Sequence, residues 1–132
     1  MFSQRSLASE PAELTALIAQ LSSDNPTPAL HALEMLSASN PLSIRTHAAW
    51  AMGLLSVGET DAAASVLRRL LWILPTHEES IFQLGNLLAD QGRSAEAAAL
   101  LKTVLKLNPM QNRARTRLGT IQMDLREYAL AE

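Results

Sequence analysis

The chain has 132 residues, of which 48% are hydrophobic and 18% charged, so it is long enough to bury a sizeable core and too apolar to remain disordered. Its formal net charge of −2 argues against a general affinity for nucleic acid, and the absence of cysteine excludes disulfides and thiolate metal sites. Five aromatic residues (Phe2, Trp50, Trp72, Phe82, Tyr128) against abundant Ala and Leu leave the core to small and unbranched side chains, a composition that favours helices.

The N-terminal stretch MFSQRSLASEPAEL has no apolar run behind its basic residue, so it does not read as a secretory signal, and residues 1–9 are expected to form a tail. No later segment approaches eighteen uninterrupted apolar residues, and a cytoplasmic protein without membrane insertion is expected. The domain spans 10–132. Helices are predicted near 10–22 and 28–38, the second opened by Thr27-Pro28, a cap followed by proline at the first helical position. Two more are predicted near 44–57 and 61–73, the former stopped by Gly58 and the latter by Pro75. Thr76 and Glu79 have capping-box spacing ahead of a helix near 78–90, whose Ile81, Leu84, Leu87 and Leu88 fall at helical intervals. Gly92 sits where a helix C-terminus needs positive φ, and Ser94 is the expected cap of a helix near 95–107 that Asn108-Pro109 ends. A helix near 112–124 follows, with another starting near Tyr128.

These elements repeat. At a spacing of thirty-four, Pro41 falls over Pro75 and Pro109, Leu33 over Leu67 and Leu101, and Ala29 over Ala63, Ala97 and Ala131. Gly58 falls over Gly92, and Ala51 over Gly85 and Gly119. Periods of 20 to 50 residues mark stacked supersecondary units, each unable to bury its apolar stripe alone. Gly85 and Ala97 are expected on facing sides of one hairpin, where small side chains let helix axes approach within about 8 Å. Trp50 and Trp72 are expected to be packing residues.

At these positions the chain resembles the tetratricopeptide repeat family. Residues 78–111 carry the pattern through Ile81, Leu84-Gly85, Leu88, Gly92, Ala97, Leu101, Val104 and Pro109. Residues 44–77 carry it through Ala51, Leu54, Gly58, Ala63, Leu67, Leu70 and Pro75. Residues 112–132 begin a further unit with Leu118-Gly119, and residues 10–43 form a degenerate one. The resemblance implies an all-α, right-handed α-solenoid of antiparallel helix hairpins. It also implies a scaffold that binds a peptide or helix of a partner protein in a concave groove lined by the first helix of each unit.

Carried over position by position, the expected groove residues include Ile18, Met52, Leu55, Phe82, Gln83, Asn86, Arg113 and Arg117. The apolar members would anchor the partner, and Gln83, Asn86, Arg113 and Arg117 would set polarity and register. Some family members clamp a peptide's terminal carboxylate. Arg113 and Arg117 stand at two of the clamp's places, whereas Ala48 and Met52 replace its first-unit donors. Neither a catalytic nor a metal-binding constellation is present: His31, His47 and His77 lack ligand spacing, and no phosphate-binding or dinucleotide loop occurs. A non-enzymatic protein without cofactor or metal is therefore expected, with another protein as partner and no nucleic acid. Two other readings follow from the unfinished last unit. One is self-association through an open C-terminal edge, giving a homo-oligomer, and the other is a docking arm for a larger enzyme.

Overall fold

Three X-Pro steps and two glycines divide the chain into hairpins. The computed structural model describes the backbone of residues 13–131 and the side chains of residues 13–126; the expected tail and the first residues of the first expected helix lie outside the described residues. Asn40, Leu74 and Asn108 each precede a proline and leave helical geometry at φ −131°, −138° and −146°. Proline's ring disfavours the helical region for the residue before it, so each helix stops there. The last amides then bond to Leu36, Leu70 and Val104, carbonyls one period apart. Gly58 and Gly92 adopt φ of 86° and 82°, and the residues after them close the turns by donating to the carbonyls of Leu54 and Leu88.

The chain forms two compact units that divide between Leu74 and Pro75. Unit 1 contains α1 (Leu14–Gln20), α2 (Thr27–Ser39), α3 (Ile44–Ser56) and α4 (Thr60–Ile73). Its core holds Leu14, Ala29, Leu33, Ala51, Leu54, Ala63, Val66, Leu67 and Leu70. A Cβ on Gly53 would lie 2.6 Å from Leu30 Cδ2 and 2.9 Å from Leu21 Cδ2, so only glycine fits this approach without movement of those side chains. Polar residues are buried here too. Ser43 caps α3 by accepting from the Thr46 amide, its hydroxyl lies 2.7 Å from that of Thr46, and His47 Nδ1 lies 2.8 Å from the Ser43 carbonyl.

Unit 2 contains α5 (Glu78–Asp90), α6 (Ser94–Leu107) and α7 (Asn112–Ala131). Leu84, Leu87, Leu88, Ala97, Leu101, Val104, Ala114 and Ile121 form its core. A Cβ on Gly85 would sit 3.3 Å from Leu101 and 3.5 Å from Leu100, so the close approach expected at this glycine is made against α6. Gly119, one period later, meets nothing within 4 Å.

Several local expectations need correction. The chain does not turn before Tyr128: α7 runs unbroken to Ala131, because Arg126 stands where Gly58 and Gly92 break the earlier hairpins and it continues the helix. Ser94 is not a cap, since α6 starts from Arg93, whose guanidinium instead pairs with Glu96 at 2.7 Å. Thr76 does not cap α5 either; the helix starts from His77, whose Nδ1 lies 2.7 Å from Ser80 Oγ. Thr27 is the first residue of α2 rather than its cap, and its amide donates to Asn25 Oδ1. Trp72 is 87% exposed, so it is not a packing residue. Leu70 lies in the buried stripe of α4, and two residues turn a helix by about 200°. Trp72 therefore faces away from the core.

Candidate functional site

The expected groove residues fall into two sets, one in each unit. In unit 1, Ile18 on α1 and Leu55 on α3 are half-buried, and Met52 on α3 is 46% exposed. They carry no polar side-chain groups.

The unit 2 set is held by α5 and α7. Glu79, Gln83, Asn86 and Asp90 recur along α5 at steps of four, three and four, which keeps them on one face of the helix. Arg113 and Arg117 stand one turn apart on α7. Arg113 Nη2 donates to Glu79 Oε1 at 2.8 Å, and Arg117 Nη2 donates to Asp90 Oδ1 at 2.6 Å. Gln83 Nε2 donates to the other oxygen of Glu79 at 2.8 Å. The two ion pairs bracket the rest of the face. Each arginine meets one carboxylate, so the charges of this patch cancel internally, unlike the basic surface expected of an isolated Arg113 and Arg117.

Phe82 is only 5% exposed, and the Arg113 guanidinium lies 4.4 Å from the centroid of its ring. Its aromatic face is thus already covered by a cation. Asn86 and Arg117 carry a different feature. Asn86 Oδ1 and Arg117 Nε are buried and lack a hydrogen-bond partner. Leaving such an atom unsatisfied costs about 1 to 3 kcal/mol, which makes these two atoms the expensive points of the face.

Unit 2 therefore brings Phe82, Gln83, Asn86, Arg113 and Arg117 together. Sequence reasoning missed that Glu79 and Asp90 would bind the arginines, although one signal was available: Glu79 and Arg113 are opposite charges one repeat period apart. It also missed Glu78, whose Oε1 accepts from Asn108 Nδ2 at 3.2 Å and from Gln111 Nε2 at 3.3 Å. Those bonds fasten the α6–α7 turn to the start of α5. Among the described residues, no group of three or more His, Cys, Asp or Glu is placed to hold a metal ion, and no helix is long and apolar enough to cross a membrane.

Residues 82–132, which include most of this face, match the family model described as tetratricopeptide repeat. The resemblance to the tetratricopeptide repeat family is therefore supported by this match over residues 82–132. Solved structures show the same helical-repeat fold. The Yersinia enterocolitica type III secretion chaperone SycD, in complex with a peptide of the translocator YopD, is similar at 16% identity with a TM-score of 0.78, over 84% of this chain and 90% of that one. The second TPR domain of human RPAP3, in complex with the HSP70 peptide SGPTIEEVD, is similar at 19% identity with a TM-score of 0.76, over 84% of this chain and 92% of that one. A structure of MamA is similar at 25% identity with a TM-score of 0.74, over 89% of this chain and 69% of that one. No curated protein sequence matches the chain. The fold class is all-α, of the tetratricopeptide solenoid type.

Proposed function

We propose that this chain is a protein-interaction module whose α5–α7 face docks a peptide or helical segment of a partner protein. The observation that carries the reading is the convergence of Phe82, Gln83, Asn86, Arg113 and Arg117 on one face of unit 2. Two solved tetratricopeptide structures of similar fold hold peptides, which supports the same class of ligand here. Ile18, Met52 and Leu55 of unit 1 are apolar anchors for a partner segment in their own right, and binding requires no chemistry on the partner.

A test is selection of random peptides on the immobilised chain, followed by fluorescence anisotropy with a selected peptide. Gln83→Ala is expected to weaken binding without lowering the melting temperature. Failure to select any peptide above background overturns the reading.

A second reading, self-association along α7, is supported by Gly119. Its counterpart Gly85 is covered by Leu101, whereas Gly119 is open, and Met123 and Leu125 on the same helix are 65% and 37% exposed. Light scattering across a hundredfold concentration range separates the two readings. A mass that rises with concentration, and falls back with Met123→Glu, supports self-association; a constant monomer mass removes it.

A further inference from the structure

We infer that the exposed face of α4 in unit 1, built from Arg68, Arg69 and Trp72, docks an acidic amphipathic helix of a partner protein. This surface lies on the second helix of its hairpin and shares no residue with the α5–α7 face, so the inference stands independently of the reading above.

Three observations converge on it. Trp72 is 87% exposed on a helix that buries Ala63, Val66, Leu67 and Leu70 on its other side, which leaves a whole indole in water. Arg68 and Arg69 precede it by four and three residues, the spacings that bring side chains together on one helical face, and both are exposed. The third observation is charge. Arg93, Arg113 and Arg117 of unit 2 each hold a carboxylate, whereas neither Arg68 nor Arg69 meets one among the described residues. Arg69 lies instead 5.9 Å from the centroid of the Trp50 ring on α3. No acidic residue occurs from 62 to 77, and α3 has none and adds Arg45. Asp61 stands in the first turn of α4, about 10 Å along the axis from Arg68. The face is therefore locally positive on a chain whose formal net charge is −2.

That contrast selects the ligand. Anionic membranes and nucleic acids spread their charge over an area much wider than two side chains, and binding to a lipid surface draws on clusters of about four or more cations. Two guanidiniums and one indole match a smaller target, one or two carboxylates beside an apolar side chain. Arg makes paired, charge-assisted hydrogen bonds to a carboxylate, and Trp and Arg are enriched among the anchors of protein interfaces. Trp72 lies about 6 Å beyond Arg68 along the axis, so the partner's carboxylate and apolar anchor should stand about one helical turn apart. Toward the start of α4 the same face carries Ala62 and Ser65, both exposed and small, which leaves room for a helix to lie along it.

The experiment selects random helical peptides on the immobilised full chain, then removes those that also bind the Arg68→Gln/Arg69→Gln double variant. The peptides that remain should carry Asp or Glu three or four residues from a Leu, Phe or Trp. For the best of them, Trp72→Ala should weaken binding at least about tenfold, the scale of a central interface anchor. Arg68→Gln alone should weaken it about threefold at low salt, and that difference should fade as salt rises to about 1 M. In a Trp50→Phe chain Trp72 is the sole tryptophan, and saturating peptide should shift its emission to the blue and reduce acrylamide quenching. Four results overturn the inference: no peptide specific to the unsubstituted chain, specific peptides without acidic residues, unchanged Trp72 emission at saturation, or equal binding by Trp72→Ala. Two controls name the other occupants. A blue shift of Trp72 on phosphatidylserine vesicles or a single-stranded oligonucleotide, without one on the acidic peptide, assigns the face to a polyanion and overturns the inference. A mass that rises with concentration and falls back with Trp72→Ala assigns it to a second copy and also overturns it.

Discussion

Gly53 in unit 1 and Gly85 in unit 2 both let helices approach closely, but from opposite directions along the chain. Gly53 is crowded by Leu30 of α2 and Leu21, which precede it, whereas Gly85 is approached by Leu100 and Leu101 of α6, which follow it. Gly85 stands at the small-residue place of the repeat; Gly53 lies two residues beyond its counterpart Ala51, itself fully buried. The repeat thus requires that α3 and α5 each be narrow where a neighbour closes on them. Which residue is narrow depends on where the neighbouring leucines reach.

The comparison first needs a scale for ordinary packing. Leu70 is fully buried in α4, and Leu70→Ala is expected to destabilise the protein by about 2 to 5 kcal/mol, from lost burial plus the cavity left behind. Urea denaturation followed by circular dichroism measures it. A loss below about 1 kcal/mol would mean that the core of unit 1 collapses around the gap.

Gly53→Ala then asks whether the tight contact is real. A methyl group at 2.6 Å from Leu30 and 2.9 Å from Leu21 must displace both side chains, and the expected cost is about 1 to 3 kcal/mol. Adding Leu30→Ala to the same chain should recover part of that loss relative to Leu30→Ala alone, because the clashing atom is gone. Independent, additive effects would show that Gly53 is needed for a reason other than Leu30.

Gly119→Ala should move stability the other way. The position is inside α7, exposed, and nothing lies within 4 Å of the added Cβ, so alanine's helix propensity is gained without opposition, about 0.5 to 1 kcal/mol. Gly85→Ala should fall between the two, since its contact at 3.3 Å offsets the same propensity. The order Gly53, Gly85, Gly119 from most costly to beneficial is the sharp form of the prediction, and any other order breaks it. A stabilised Gly119→Ala that also loses self-association would connect this glycine to the contact between copies considered above.

The hairpin frame was legible because each stop depends on a single backbone property. Pro41, Pro75 and Pro109 forbid helix at the preceding residue, and Gly58 and Gly92 accept positive φ, so their 34-residue spacing carries directly into structure. Caps were less legible. Thr76 and Ser94 have suitable side chains, but the helices start one residue away from where each would cap, and Ser43 caps α3 without having been picked out. The α5–α7 face was legible as a set of positions and not as a network. Position alone placed Gln83, Asn86, Arg113 and Arg117, whereas the pairing of Arg117 with Asp90 joins residues 27 apart, off the repeat period, and depends on how a long side chain leans. Gly53 was invisible because its neighbours Leu21 and Leu30 obey no repeat spacing with it.

Trp72 gives the smallest expected effect and bounds the scale from below. It sits two residues from Leu70 on α4, yet it is 87% exposed where Leu70 is fully buried. Trp72→Ala should therefore change stability by no more than about 0.5 kcal/mol, as surface substitutions do. Fluorescence offers an independent check on the same chain. The other tryptophan, Trp50, is half-buried with the Arg69 guanidinium 5.9 Å from its ring, so acrylamide should quench Trp72 more strongly than Trp50. The Trp72→Ala protein should then show bluer, less quenchable emission at nearly unchanged stability. If Trp72→Ala costs as much as Leu70→Ala, the ring packs against something in solution. An apolar side chain of this size buried between copies is the simplest source of such a loss, and the loss would then fade as the protein is diluted.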